Sequence, residues 1–318
     1  MVTSLASPFP AAGNRGSVRA MLGGVDRADA ARTVPAGLPP DVARDWVRLG
    51  EGGGQPAVFG SAAVSGLPEP VRLWLMHAIA EGAPLARSVE LRMSGEIKLG
   101  RWSPFTGVER LSAGGGFVWA ATARPLGLPV RGFDRWTRGS GEMRWRLFGR
   151  VPVLRGSGAD VTRSAAGRHA GELLLLLPTA ALGPEVSWRS HDTHSAVATV
   201  QTGTDRHEVT VTVGPDGALT ELVLQRWGPL GHGAYGPQPF GVTVHGELEV
   251  DGVRIPRRIT AGWHYGTDRW RRGSSSAGRS RRPASADAAG HRPGLRHRLA
   301  CGRCGGSQRR TARSPTTN

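Results

Sequence analysis

The alternation of apolar and polar residues along the chain predicts a fold made mostly of β-strands. From Ser88 onward, Val89, Leu91 and Met93 alternate with charged residues, as in a strand that buries one face. Similar two-residue periods recur in segments 116–122, 130–137, 142–148, 196–201 and 207–213. Two further alternating segments, 242–250 and 253–265, flank Asp251-Gly252, a pair that favours a two-residue hairpin turn.

Helical spacing of apolar residues predicts two main helices. The first begins at the prolines of residues 67–70, continues through Val71, Trp74 and Ile79, and ends before Gly82. The second runs from a cap at Asp160 or Thr162 to Pro178. Many short strands with two helices indicate an α+β fold that is predominantly antiparallel sheet.

Composition and charge together divide the chain into three regions. Residues 271–318 hold 12 arginines and one acidic residue, so the totals of 41 basic and 25 acidic residues fall to 29 and 24 for the rest. We predict a low-complexity, mostly disordered leader over residues 1–65, a single β-rich domain over 66–270, and an arginine-rich disordered tail over 271–318. The tail is interpreted either as the product of a shifted reading frame or as a basic arm that binds nucleic acid without sequence specificity.

Several functional classes lack their sequence signals. No phosphate loop, dinucleotide fingerprint or Gly-x-Ser-x-Gly motif occurs, and Cys301 and Cys304 both lie in the predicted tail. We therefore expect no cofactor and no metal site. The longest apolar run, residues 173–177, is far shorter than the ~20 residues of a membrane span, and residues 1–20 lack the apolar stretch of a secretory signal. The expectation is a soluble, cytoplasmic protein.

Six short motifs follow one another along the predicted domain. They are LPEPVR at 67–72, GFVW at 116–119, LPVRGFD at 128–134, GEM at 141–143, GVRIP at 252–256 and WHYG at 263–266. This succession resembles an uncharacterised bacterial family, a domain of unknown function, over about residues 66–270. The resemblance implies the domain boundary and no functional residue. The strand order is also similar to the curled antiparallel half-barrels that carry lipids or lipoprotein acyl chains.

Tryptophan is the aromatic residue that suggests a ligand site, because the chain has ten tryptophans and only two tyrosines. We predict that four tryptophans on or beside strands line an apolar pocket and that two charged residues form its polar mouth. The alternative is that the tryptophans pack in the core, where aromatic residues of strands are commonly found. The predicted ligand-binding residues are Trp119, Trp136, Trp145, Trp263, Arg131 and Asp134.

Three functions remain open at the level of sequence. The favoured one is a non-catalytic binding or carrier protein for an apolar small molecule or lipid. The second is an enzyme that acts on such a molecule through carboxylates near Asp134 and Glu142, which requires two carboxylates to converge in a cleft. The third is binding of nucleic acid through the basic tail.

Overall fold

The computed structural model describes residues 17–22, 33–51, 57–99, 101–231 and 233–275. The predictions for the tail beyond residue 275, and most of those for the leader, lie outside these ranges. Within them, a strand at Ser17–Leu22 and a helix at Pro40–Leu49 precede residue 66, where the sequence predicts that order begins. These two elements are therefore part of the fold.

The described residues form four α-helices and fifteen β-strands. The helices are α1 (Pro40–Leu49), α2 (Glu69–Ala78), α3 (Ala159–Leu176) and α4 (Asp268–Ser275). The strands are β1 (Ser17–Leu22), β2 (Ser88–Leu99), β3 (Arg101–Ser112), β4 (Gly116–Ala123), β5 (Val130–Thr137), β6 (Ser140–Leu147), β7 (Val151–Gly156), β8 (Val186–Ser190), β9 (Ser195–Thr202), β10 (Asp205–Val213), β11 (Leu219–Gly231), β12 (Ala234–Val244), β13 (Glu247–Val250), β14 (Val253–Pro256) and β15 (Arg258–Trp263). Short 3-10 helices lie at Ser61–Val64, Pro125–Gly127 and Pro178–Leu182.

Thirteen of the strands form one antiparallel sheet, in the order β7-β6-β5-β4-β3-β2-β1-β15-β12-β11-β10-β9-β8. The other two, β13 and β14, form a separate hairpin. The predicted α+β class with a predominantly antiparallel sheet is confirmed, and the two predicted main helices correspond to α2 and α3. Among the described residues, no helix is both long and apolar enough to cross a membrane.

The sheet curves around α3. This helix contacts β6 and also β10, which stand nine positions apart in the sheet. In a flat sheet the two strands would be roughly 40 Å apart at the usual strand spacing, whereas a helix is only about 10–12 Å wide. Two buried glycines, Gly167 and Gly171, let α3 approach β10 and β11 closely. Because alternate side chains of a strand point to opposite sides, the curved sheet has an inner face toward α3 and an outer face away from it.

Helix α1 covers part of the outer face. Val42, Trp46 and Leu49 pack against Val118 of β4 and Phe133 of β5 in a small core of their own. Asp45 of α1 accepts a hydrogen bond from Thr137 Oγ1 at 2.8 Å and pairs with Arg135. The main core lies on the inner face, between the sheet and helices α2 and α3.

The turn between β13 and β14 is the one the sequence predicts. Asp251 and Gly252 have φ values of 52° and 77°, and Val250 pairs with Val253 across them. The predicted cap of α3 is wrong, because Gly158 occupies the cap position. Asp160 instead accepts a hydrogen bond from Trp227 Nε1 at 2.9 Å, and Thr162 Oγ1 accepts one from the Gly141 amide at 3.0 Å. Both side chains fasten the helix to the sheet.

Candidate functional site

A charged cluster lies on the inner face, which is otherwise mostly apolar. Arg168 of α3 stands at its centre. Its guanidinium pairs with Glu172 at 2.8 Å, with Glu109 of β3 at 3.2 Å and with Asp134 of β5 at 3.2 Å. Asp134 also accepts a hydrogen bond from Trp145 Nε1 at 2.9 Å. Register explains the convergence, because Trp119 of β4 pairs with Glu109 on one side and with Asp134 on the other.

The cluster holds more carboxylates than one arginine can neutralise. Burial raises the pKa of Glu109 well above its ordinary value, and the charge of Glu172 raises it further, while Arg168 opposes both effects. Glu172 Oε2 is buried and receives no hydrogen bond from a described nitrogen or hydroxyl group. Although burial lowers it, the pKa of Arg168 is raised by the charges of Glu172, Glu109 and Asp134.

A second arginine, Arg226 of β11, projects onto the same face in a different setting. Its Nε donates to the Ser164 carbonyl at 3.0 Å, and its guanidinium lies 4.9 Å from the Phe240 ring and 4.8 Å from the Trp263 ring. Among the described residues, no carboxylate oxygen comes within 4.0 Å of it. Burial and the nearby charge of Arg168 lower the pKa of Arg226 to about 10. It remains a cation at neutral pH.

His169 adds a neutral ring to the inner face. Its imidazole stacks on Trp136 at 5.1 Å and on Phe117 at 6.4 Å, and only 2% of the residue is exposed. Burial lowers the pKa of His169 to about 4, against the opposing effect of a hydrogen bond to the Ala113 backbone. The ring is therefore uncharged near neutral pH.

Three of the four predicted tryptophans lie over glycines, Trp119 and Trp145 over glycines of the adjacent strand and Trp263 over a glycine two strands away. A Cβ atom at Gly107 would come within 2.9 Å of Trp119, one at Gly132 within 2.5 Å of Trp145, and one at Gly228 within 2.4 Å of Trp263. Trp119 and Trp145 also contact each other, with ring centroids 5.5 Å apart. Trp119 and Trp136 are buried in the main core, whereas Trp145 and Trp263 are only half-buried.

The predicted charged residues lie on different faces of the sheet, because alternate residues of a strand point to opposite sides. Asp134 faces inward and joins the cluster, but Arg131 lies on the outer face, exposed, opposite Arg146. Glu142 pairs in register with Arg135 and binds it at 2.8 Å, next to α1 on the outer face. Asp134 and Glu142 thus lie on opposite faces of the sheet, so they do not converge on one substrate.

A cleft of about 400 Å³ opens where β10 and β11 separate. Their pairing stops at Val209 and Leu224, although β10 continues to pair with β9, and β11 with β12. Most of its lining is polar. Arg163 stacks on Trp227 at 4.0 Å, and the buried Nε2 atom of His207 has no hydrogen-bond partner among the described groups. The cleft is a different place from the pocket predicted between the tryptophans.

The residues at the centre of the cluster were missed by sequence reasoning. One signal was available, because Glu109 follows Phe105 and Gly107 and precedes Leu111 in the inward phase of β3, and Arg226 similarly follows Leu222 and Leu224. A charge in an apolar phase indicates a buried ion or a bend. Arg168 and Glu172 gave no comparable signal, because polar and apolar residues are mixed along the part of α3 that contains them.

The described histidines and acidic residues form no group of three or more that could hold a metal ion. No curated protein and no solved structure matches the chain. A model of a family of unknown function, DUF6544, matches residues 57–273, which include α2, α3 and every strand of the sheet except β1. The match contains all the residues of the charged cluster. This chain therefore belongs to DUF6544, a family of unknown function.

Proposed function

We propose that this domain is a non-catalytic binding or carrier protein for an amphipathic small molecule that has an anionic group, such as a fatty acid. The observation that carries the proposal is Arg226. Its side chain is a cation on a mostly apolar face, and among the described residues it forms no ion pair, whereas Arg168 forms three. An anionic ligand group would supply that partner.

A charge that is partly withdrawn from water without a counterion has an energetic cost. For a fully buried ion that has lost its partner the cost is about 3–5 kcal/mol, and Arg226, which is half-buried, bears a part of it. Stacking on Phe240 and Trp263 recovers a part of this, since a cation–π contact contributes about 0.5–2 kcal/mol. A carboxylate bound by the two free Nη atoms would form a bidentate, charge-assisted pair.

The apolar part of such a ligand has a complementary surface nearby. Phe240 and Trp263 pair with each other across β12 and β15, so they share the inner face with Arg226. On β2, Met93 and Ile97 belong to the same face, which the alternation from Leu91 identifies. All four of these apolar side chains are only half-buried. Covering them would stabilise a complex by about 25 cal/mol per Å² of apolar area.

A titration tests the proposal through tryptophan fluorescence. Dodecanoate should give a saturable response with an affinity at least about tenfold higher than that of dodecanol, since one strong ion pair contributes 1.4 kcal/mol or more. In Arg226→Met the two ligands should bind equally weakly, while Arg226→Lys should retain part of the preference. Arg92→Met changes an exposed arginine on the outer face and serves as the matched control. Equal responses to both ligands in the wild type would contradict the proposal.

A second candidate, an enzyme, is favoured by the convergence of the Glu109 and Glu172 carboxyl groups on Arg168. A buried carboxyl group with a raised pKa, close to a second carboxyl group, is an arrangement used for general acid and base catalysis. The two candidates differ in the effect of Glu109→Gln. That change would abolish turnover by an enzyme of this kind, whereas a carrier would keep its affinity for dodecanoate. Binding of nucleic acid through the tail stays a prediction, because residues 276–318 lie outside the described ranges.

A further inference from the structure

Four exposed apolar side chains form a surface patch at one end of the sheet. Leu126 and Leu128 belong to the connection between β4 and β5, and Phe148 and Val151 lie at the turn between β6 and β7. Their exposed fractions are 71%, 45%, 55% and 57%. The Phe148 amide donates a hydrogen bond to the Pro129 carbonyl at 2.8 Å, which joins the two turns. We call these four residues the apolar tips.

The backbone holds two of the apolar tips in an unfavourable conformation. Leu126 has φ 56° and Phe148 has φ 53°, in the left-handed region that residues with a Cβ atom rarely adopt. Leucine and phenylalanine are poor choices for such turns, in which glycine or asparagine would relieve the strain and interact better with water. Folding stability therefore does not account for these side chains, and strain of this kind is commonly found at functional sites.

Arginines surround the apolar tips without acidic partners. Residues 124–131 and 146–155 contain no Asp or Glu, and none of their five arginines forms an ion pair within the described part of the chain. Arg131 and Arg146 stand directly opposite each other on β5 and β6, an arrangement in which like charges repel. The five residues, which we call the basic rim, are Arg124, Arg131, Arg146, Arg150 and Arg155.

We infer that the apolar tips and the basic rim together dock on a membrane surface rich in anionic lipids. The leucines, phenylalanine and valine would enter the boundary between head groups and acyl chains, where their apolar surface leaves water. The arginines would pair with lipid phosphates, which removes the repulsion between Arg131 and Arg146. Nucleic acid would satisfy the arginines alone, since its phosphate backbone offers no partner for four aliphatic and aromatic tips.

This inference does not rest on the proposed function, because it depends on a different set of residues. The two surfaces are nevertheless close along β2, where Ile97 of the inner face precedes the exposed Leu99 at the next hairpin tip by two residues. Ligand entry from a bilayer would be a natural use of that arrangement. The patch would bind membranes even if Arg226 had no ligand.

Vesicle flotation with the full chain tests the inference. Vesicles of phosphatidylcholine with phosphatidylglycerol should carry the wild type, and vesicles of phosphatidylcholine alone should carry much less. The double variant Leu126→Ser with Phe148→Ser, and separately Arg131→Glu with Arg146→Glu, should each lower the floated fraction at least tenfold. Every variant keeps residues 276–318, so a difference in flotation between samples comes from the substituted residues.

Matched controls separate this docking from nonspecific attraction. Val58→Ser removes an apolar side chain that is 64% exposed elsewhere, and Arg92→Glu reverses an exposed charge outside the basic rim; both should float like the wild type. Leu128→Ser with Val151→Ser provides a second test if the first double variant melts early. Flotation of the patch variants at wild-type levels would overturn the inference. If the patch variants bound duplex DNA less well than the wild type but floated equally with both kinds of vesicle, the inference would be overturned in favour of nucleic acid.

Discussion

At the scale of single residues, the two inward arginines have opposite relations to the fold. Arg168 neutralises carboxylates that the curved sheet brings together, whereas Arg226 is a cation without an ion pair among the described residues. Removing one partner of a buried ion pair destabilises a protein strongly, because the other charge is left buried without compensation. The two positions therefore give different expectations for the same substitution.

Arg168→Met should lower the free energy of unfolding by about 3–5 kcal/mol, because Glu109, Asp134 and Glu172 would be left without a cation. Arg226→Met should lower that free energy by less, about 1–2 kcal/mol, because it removes a hydrogen bond and two ring contacts but breaks no ion pair among the described residues. Urea denaturation of the two variants measures both values. A larger loss in Arg226→Met than in Arg168→Met would show that Arg226, and not Arg168, is the structural ion.

Acid should destabilise the protein through His169. The folded-state pKa is lowered from 6.5 to about 4 by burial, so the unfolded state binds the proton more readily. The stabilising contribution is complete above pH 6.5 and is lost as the pH falls toward 4, by about 3 kcal/mol in total. His169→Phe keeps the ring stacked on Trp136 and should remove this part of the pH dependence.

The raised pKa of Glu109 acts in the opposite direction, because protonation at low pH favours the folded state. Both the wild type and His169→Phe contain Glu109, so the difference between their melting curves isolates the histidine. Parallel loss of stability in the two proteins between pH 6.5 and 4 would refute the assignment to His169.

Relief of strain at the apolar tips gives a third residue-scale prediction. Phe148→Gly removes the steric cost of φ 53° and should raise the free energy of unfolding by about 1 kcal/mol. The same variant should bind anionic vesicles less well than the wild type. Thermal unfolding and flotation measured on one preparation check both. A destabilised Phe148→Gly would mean that the phenylalanine packs for stability.

At the scale of elements, glycines decide where rings and turns fit. Trp145 lies over Gly132 of the adjacent strand, and Trp263 lies over Gly228 two strands away, so each tryptophan position depends on the absence of a side chain at a glycine. The turn between β13 and β14 depends on a glycine for a different reason, because Gly252 has φ 77° and a Cβ atom there would lie 3.1 Å from Ala83 Cβ.

Gly252→Val should therefore lower the free energy of unfolding by more than about 1 kcal/mol, because a β-branched residue resists positive φ and would also press on Ala83. Gly60→Val is the control, since Gly60 has an extended φ of −136° and only an ordinary contact at 3.5 Å. Chemical denaturation compares the two. Equal stabilities would mean that the turn tolerates a side chain.

At the scale of the whole molecule, the sheet is held in its curve by contacts with α3 from strands far apart in sheet order. The elements of the fold described here end at Ser275. That segment has few apolar residues to offset an ordering entropy of about 1–2 kcal/mol per residue. A chain that ends at Ser275 should keep the melting temperature of the full chain. A clear fall in calorimetry would show that the arginine-rich segment contributes to stability.

The sequence by itself determined the elements whose signals are local. Period-two alternation located most of the strands, prolines and glycines bounded α2, and Asp251-Gly252 identified the hairpin, because each pattern depends on neighbours a few residues away. The motifs also indicated a family of unknown function, which the match over residues 57–273 confirms. Asp134 was predicted as a site residue, but its ion-pair partner Arg168 was not.

Only the tertiary structure decided which residues meet. Glu109, Asp134 and Arg168 are 25 to 59 positions apart in the chain, and register across β3, β4 and β5 and the curve around α3 bring them into contact. The same parity sends Arg131 and Glu142 to the outer face, one position in register from residues that point inward. A strand's phase is local, but which face becomes the interior depends on what packs against the sheet, and that is a property of the whole fold.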